Sequence, residues 1–290
     1  MRIAVCLKYV PDLATIEVDP LTGLIDPVRT LYMLNPADGA ALEMALRLRS
    51  KGDSILALTV GSAEADVVLR DALSVGVDRV LRLWDDVYNH TQPPITSMLL
   101  ATALRLEQPS DLILFGARSV DGGSGNVPAL LAEHLDYPVA TDITHLEIQG
   151  GCARIQRRLA RGARAEGELT LPAVLGVEAG LARLRQASLP GLMTGKRATI
   201  PVRNLTDLGL SPHDLGFPAA TRREVMPPRP RPRAIFMPNI DLPPHERIAQ
   251  IVSAGVASKS GKILDTGSPA EKADAIIDFL RKHSFLESAG

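Results

Sequence analysis

At 290 residues the chain is long enough to bury a full hydrophobic core. A hydrophobic content of 46% against 22% charged residues reads as a water-soluble globular protein, and 32 Lys+Arg against 33 Asp+Glu exclude a chain built as a whole to bind nucleic acid, a membrane surface or another polyanion. With only Cys6 and Cys152, a disulfide framework is excluded and a reducing cytoplasm is the expected location.

In chain order, "RIAVCLKYV" (2–10) predicts a first strand; broken by Lys8, it is too short and interrupted for a signal peptide. No later run reaches transmembrane length. "NPADGAALEMALRLRSKG" (35–52) predicts a helix with Asn35 or Asp38 placed to cap it and Gly52 to stop it. "SILALTVG" (54–61), "RVLRLW" (79–84) and "DLILFG" (111–116) predict further buried strands. Between and after them, "AEADVVLRDALSVG" (63–76), "ITSMLLATALRLEQ" (95–108) and "NVPALLAEHL" (126–135) predict helices. Near-continuous apolar strands alternating with amphipathic helices predict a doubly wound α/β fold with a mostly parallel, Rossmann-like sheet.

After about residue 145 the pattern changes. "THLEIQGGCARIQRRLARGARAEGELTLPAVLGVE" reads as antiparallel β-hairpins turning at Gly150-Gly151 and Arg161-Gly162, and "PGLMTG" (190–195) as a loop. Residues 201–247 are proline-rich and read as an extended arm, neither regular helix nor central strand. "GSPAEKADAIIDFLRKHSF" predicts a final helix with Ser268 as N-cap, Pro269 in first position and Glu271 completing a capping box. The expected division is a nucleotide-binding domain over 1–200 and, over 201–290, an arm and terminal helix that wrap a partner subunit. Two arginine clusters, Arg154 to Arg164 and Arg222 to Arg233, read as solvated faces or partner contacts, because no aromatic residues interleave with them as nucleic-acid stacking requires.

The stretch "FGARSVDGGSGNVPALLAEHL" (115–135) carries the chemistry. Gly116, Gly122, Gly123 and Gly125 allow close backbone approach to a ligand, the helix that follows offers N–H donors, and Asp121 can accept from a ribose hydroxyl or a purine nitrogen. The stretch is neither GxGxxG after a first strand nor a Walker loop, so a glycine-rich turn that binds nothing, with Asp121 as a turn residue, stays open. Six scattered histidines show no metal spacing, and no nucleophile elbow exists. Nucleotide-style loops without a nucleophile or base point to a binder or carrier rather than an enzyme.

Read together, the motifs resemble the beta (small) subunit of electron transfer flavoproteins, including the nitrogen-fixation and flavin-bifurcating relatives. "KYVPD" (8–12) is similar to the family's Lys-x-Val-Pro-Asp, and "LNPADGAALEMALRL" to its Asn-Pro-x-[Asp/Cys] stretch and helix. "ALSVGVDRVLRL" and "DLILFGARSVDG" match two further elements, and "LTLPAVLGV" and "SLPGLM" later landmarks, all in order along almost the whole chain. The resemblance implies an adenine nucleotide alpha hydrolase-like fold and a heterodimer whose alpha subunit carries a redox-active FAD. This chain would close over that flavin and hold AMP, or in bifurcating members a second FAD that receives hydride from NADH. By position the nucleotide site would be Cys6, Asn35, Pro36, Ala37, Asp38, Val60 and residues 112–127, among them Gly116, Asp121, Gly122, Gly123, Ser124, Gly125, Asn126 and Val127. Thr96 would be added from helix three, and Leu189 matches the exposed leucine that the family inserts into partner flavin dehydrogenases. The implied role is to carry electrons from such dehydrogenases, of acyl-CoA type, to a quinone oxidoreductase.

Departures from the family pattern bear on the details. The usual Gln-[Val/Thr]-Gly is Asn126-Val127-Pro128, and Asn-Glu-Pro-Arg-Tyr becomes Ala182-Arg183-Leu184-Arg185-Gln186. Bifurcating relatives carry Asp-Thr where this chain has Gln92-Pro93, although the long arm is of the nitrogen-fixation kind. AMP is the expected occupant, with a second FAD the alternative. Arg158 stands where many members place a glutamate facing the alpha-subunit flavin, and a cation there would favour reduced, anionic flavin. A flavin-free regulatory nucleotide binder is a further alternative.

Overall fold

The computed structural model describes residues 1–19, 22–26, 28–88, 92–107, 109–215, 241–252 and 266–282. In chain order the strands are β1 (Arg2–Cys6), β2 (Tyr9–Pro11), β3 (Tyr32–Leu34), β4 (Ser54–Val60), β5 (Arg79–Leu83), β6 (Leu112–Gly116), β7 (Val139–Gln149), β8 (Cys152–Arg158), β9 (Arg164–Thr170), β10 (Ala173–Val177) and β11 (Val202–Arg203). The α-helices are α1 (Pro36–Leu48), α2 (Asp66–Ser74), α3 (Pro93–Leu106), α4 (Val127–Leu135), α5 (Leu189–Arg197), α6 (Pro244–Val252) and α7 (Pro269–Lys282).

Nine strands form one sheet in the order β11-β5-β4-β1-β6-β10-β7-β8-β9. From β11 to β7 every neighbour is parallel, and only β7-β8 and β8-β9 are antiparallel, so the expected Rossmann-like α/β class is the observed one. The twofold alternation of the strands divides two cores. Ile3 and Val5 of β1 and Leu112 and Leu114 of β6 pack with α1 and α2 on one face, while Ala4, Cys6, Ile113 and Phe115 pack with α3 and α4 on the other. Each fully buried Leu or Ile contributes about 2 kcal/mol.

Several expectations are corrected. "AVLGV" is β10, a parallel strand between β6 and β7, not part of a hairpin; it is buried along its whole length, as a strand covered on both faces must be. The Gly150-Gly151 turn joins β7 to β8 with both residues at positive φ (59° and 80°), a conformation that glycine adopts without strain. The sheet also runs past residue 200. Val202 and Arg203 pair with β5, and Leu205 and Leu208 are buried in the second core, so the first compact unit spans Met1–Pro228 and the second Arg229–Gly290. Most of the proline-rich arm, with the Arg222 to Arg233 cluster, lies outside the described residues. Helix is present inside the stretch read as irregular, because α6 begins at Pro244, where proline's missing N–H costs nothing. α7 starts as expected: Ser268 Oγ accepts from the Glu271 N–H (3.3 Å) and Glu271 Oε2 accepts from the Ser268 N–H (2.7 Å).

The stretch read as a loop at 190–195 is α5. Ser188 Oγ caps it by accepting from the Gly191 N–H (3.2 Å), and Pro190 sits in its first turn. Gly191 and Gly195 each lower helix propensity by about 1 kcal/mol, which makes the stretch look irregular in sequence. They are needed for packing: a Cβ at Gly191 would run into the Ser74 carbonyl of α2, and one at Gly195 into the Ser74 hydroxyl and the Arg70 carbonyl. Arg70 then closes the helix end, its guanidinium donating to the carbonyls of Gly195, Lys196 and Ala198 (3.3, 3.2 and 2.5 Å).

Candidate functional site

The carboxyl ends of β1, β4 and β6 open on a cleft of about 540 Å³, within the usual size of a small-molecule site. Leu58, Val60, Leu100 and Phe115 give it an apolar wall, and Lys8, Ser119, Asp121, Ser124 and Asn126 a polar one. The amino-terminal ends of α3 and α4 border it with Gln92, Pro93 and Thr96 and with Asn126, Val127 and Pro128. Thr59 also lines it, with a buried hydroxyl that has no hydrogen-bond partner among the described residues.

Two buried side chains of the Asn35–Asp38 turn hold the loop in place. Asn35 is expected as a helix cap, but its side chain makes no capping bond. Its amide instead donates to the Arg118 carbonyl (3.1 Å) and accepts from the Val120 N–H (3.2 Å), fixing the loop after β6. Asp38 accepts from the Gly116 N–H (2.9 Å) and the Lys8 N–H (2.8 Å), tying the ends of β6 and β1 to α1. Burial pushes its carboxyl up to about 7, against the opposing hydrogen bonds from Asn35, Lys8 and Gly116. This contact demands glycine at 116, since a Cβ there would overlap Asp38 Oδ1 and lie 2.6 Å from Ala37 Cβ. Gly123 and Gly125, both at φ +63°, complete the turn toward α4.

Of the sequence-predicted nucleotide residues, the cleft wall brings together Cys6, Asn35, Asp38, Val60, Thr96, Gly116, Asp121, Gly122, Ser124, Gly125, Asn126 and Val127. Pro36, Ala37 and Gly123 lie outside that wall; Ala37 backs Gly116, and the Gly123 N–H is taken by the Ser119 carbonyl (3.0 Å). Lys8 lies in the loop after the first strand and in the quoted "KYVPD", but the sequence reading gave it no role of its own. Its ammonium bonds both oxygens of Asp121 (2.7 and 2.6 Å) and reaches Ser119 Oγ (3.4 Å). The available signal was a cation directly after the first strand, where the loops of such a sheet converge. The donor set fits a phosphorylated nucleotide: hydroxyls, an amide and one ammonium at the polar side, and an aliphatic and aromatic slot beside them. Among the described residues no three His, Cys, Asp or Glu side chains come together to hold a metal, and no helix is long and apolar enough to cross a membrane.

A family model for the electron transfer flavoprotein domain matches residues 22–208. The chain belongs to the electron transfer flavoprotein family. It is 33% identical over 266 residues to the electron transfer flavoprotein subunit beta of Bacillus subtilis, covering 91% of both chains. Identity is 32% over 233 residues with the caffeyl-CoA reductase-Etf complex subunit CarD of Acetobacterium woodii, covering 79% of this chain and 88% of that one. With the beta subunit of Mycobacterium tuberculosis it is 31% over 240 residues, covering 80% and 89%. Within the electron transfer flavoproteins the likeness is therefore to beta subunits.

Two residues read from the electron transfer flavoprotein pattern stand apart from the cleft. Leu189 opens α5 and is 72% exposed, beside the exposed Leu192 and Met193. Because Gly191 and Gly195 face α2, these apolar side chains are left on the outer side. Arg158 ends β8, and its guanidinium is paired with Glu178 (2.8 Å). The pair is close to neutral, so a net positive field on a flavin no longer follows from Arg158 alone.

Proposed function

We propose that this chain is the beta subunit of a heterodimeric electron transfer flavoprotein, and that its cleft holds AMP. The alpha subunit carries the FAD, which takes up and releases the electrons; this chain orients that subunit and docks the electron donor, without turning over a substrate of its own. The carrying observation is the cleft itself, placed in a family member at the carboxyl edge of the sheet with hydroxyl, amide and ammonium groups beside an apolar slot. In this reading Ser119, Ser124, Asn126 and the loop N–H groups hold ribose and phosphate, and Leu58, Val60, Leu100 and Phe115 enclose the base.

AMP is favoured over a second FAD by the start of α3. Its first two residues, Pro93 and Pro94, carry no N–H, and the Thr96 N–H bonds to the Gln92 carbonyl (3.0 Å). A second diphosphate would meet few main-chain donors there, although Thr96 Oγ1 remains. The donor dehydrogenase docks on α5 through Leu189, Leu192 and Met193. The name of the Acetobacterium relative, which ties it to a caffeyl-CoA reductase complex, supports a CoA-thioester dehydrogenase in that role, with a quinone-linked acceptor downstream. Exposed Ile276 and Ile277 on α7 support a terminal helix that packs on the alpha subunit. Two unpaired cysteines suit the cytoplasm.

The test is nucleotide content. The chain is co-expressed with its alpha subunit, and FAD and AMP per heterodimer are quantified by chromatography after denaturation. One FAD and one AMP is the expected result. Two FAD without AMP would replace the AMP reading by the bifurcating one, and a complex without flavin would overturn the redox reading.

A further inference from the structure

Lys8 and Asp121 are 113 residues apart in sequence and face each other across the polar side of the cleft. The ammonium sits within hydrogen-bond distance of both carboxylate oxygens, with 49% of the Lys8 side chain and 28% of Asp121 exposed. The only other cation lining the cleft among the described residues, Arg118, is turned to Asp142 of β7 (3.2 Å). One cation, on an intrinsically flexible side chain, is thus within reach of a ligand, and in this structure an internal anion occupies it.

We propose that Lys8 is the phosphate ligand of the cleft and that Asp121 holds it in reserve, so that the phosphate of an adenine nucleotide displaces Asp121 from the ammonium and Asp121 opposes binding. The inference rests on the nucleotide reading of the cleft and goes beyond it by reversing the sign expected for Asp121, which the sequence suggested as a ligand of ribose or base.

Three features carry it. The main chain of Lys8 is pinned on both sides, its N–H by Asp38 (2.8 Å) and its carbonyl by the Asn35 N–H (3.0 Å), so only the flexible side chain has to swing. Asp121 offers one negative charge, whereas a phosphate group offers nearly two and three acceptor oxygens, so the exchange favours the ligand. Asp121 does not lose every partner when the ammonium leaves, because its Oδ1 also accepts from the Gly122 N–H (2.6 Å). It then stands as a like charge beside the bound phosphate, which costs affinity.

The experiment is calorimetric titration of AMP, FAD and adenosine into the nucleotide-depleted heterodimer, for the wild type, Asp121→Asn and Lys8→Met. Asp121→Asn is expected to tighten AMP about three- to tenfold, as removal of a half-exposed competing pair and a like charge allows. Lys8→Met is expected to weaken AMP about tenfold, the worth of one charge-assisted hydrogen bond. Adenosine, which has no phosphate, should bind all three proteins equally. Should Asp121→Asn weaken AMP and adenosine together, Asp121 is a ribose or base ligand and the proposal falls while the nucleotide site stands. Unchanged AMP affinity in Lys8→Met would also overturn it. A wild type that takes up none of the three ligands would remove the nucleotide reading itself, and the proposal with it. A gain of affinity in Asp121→Asn cannot be produced by misfolding, so the outcome does not hang on the integrity of Lys8→Met.

Discussion

Glu43 of α1 holds Arg185, 142 residues later, by three bonds: Oε2 accepts from the Arg185 N–H (3.1 Å) and Nε (2.9 Å), and Oε1 from Nη2 (3.1 Å). Arg47, one turn on, donates to the same carboxylate (2.8 Å). Glu43 is buried, so the segment that leads into α5 is fastened to the body of the fold by an internal carboxylate. Burial pushes this carboxyl up, but the hydrogen bonds from Arg185 and Arg47 outweigh it and bring it from 4.5 down to about 2. With the folded value below the ordinary one, the stabilisation is present above about pH 4.5 and is lost as pH falls toward 2. Glu43→Gln should cost about 2 kcal/mol at neutral pH, since four hydrogen bonds to the carboxylate weaken while Arg185 stays half-exposed. Urea unfolding of wild type and variant at falling pH should show that difference shrinking below pH 4.5; a constant gap would refute the assignment.

Asp38 has the opposite sign. Its folded value of about 7 lies above the ordinary 3.8, so the stability linked to its proton is full below 3.8 and is lost as pH rises through 7. Between pH 5 and 8 this should remove about 3 kcal/mol from the wild type, at roughly 1.4 kcal/mol per unit of titration. Asp38→Asn flattens that slope, although it turns one amide N–H toward a main-chain donor and lowers stability overall. Carboxyl NMR shifts of Asp38 followed with pH test the same point directly, and a midpoint near 4 would contradict it.

Gly116 admits no side chain. Alanine there meets Ala37 and Asp38 at once, and neither is the free end of a flexible side chain. Overpacking of this kind costs about 1–3 kcal/mol. Because the same contact sets the loop of the cleft, Gly116→Ala should also purify with less nucleotide per heterodimer than wild type. Gly180→Ala is the control, since nothing lies within 4 Å of a Cβ there and Gly180 does not line the cleft.

The parallel half of the fold was legible because strands covered on both faces leave uninterrupted apolar runs, as in "SILALTV" and "LILFG". β10 was not, because five buried residues between a hairpin and a loop give the same pattern in either sheet type. Its neighbours β6 and β7 are set by tertiary contact. The cleft was legible at Gly123 and Gly125, whose positive φ is a local requirement, whereas the demand for glycine at 116 comes from contact with Ala37 and Asp38. Lys8 was not, since what marks it is a pairing with Asp121 that only the folded sheet creates. For the same reason α5 was misread: Gly191 and Gly195 break helices in isolation, and their value lies wholly in contact with Ser74 and Arg70.

That contact leads to the sharpest separation between stability and docking. Leu189 is 72% exposed, so Leu189→Ala removes almost no buried surface and should change unfolding free energy by less than about 0.5 kcal/mol. In its proposed role as an apolar anchor in a partner pocket, its loss should weaken the apparent affinity for a dehydrogenase about tenfold or more. Gly191→Ala should do the reverse in origin and the same in outcome. Its Cβ meets the Ser74 carbonyl, which cannot swing aside, so the helix must shift and stability falls by about 1–3 kcal/mol. The displaced helix then presents Leu189, Leu192 and Met193 poorly. The two variants are told apart by chemical denaturation, and docking is read from the dependence of dehydrogenase turnover on flavoprotein concentration. If Leu189→Ala leaves that dependence untouched while Gly191→Ala changes it, the docking surface lies elsewhere on α5, with Leu192 and Met193 the next positions to truncate.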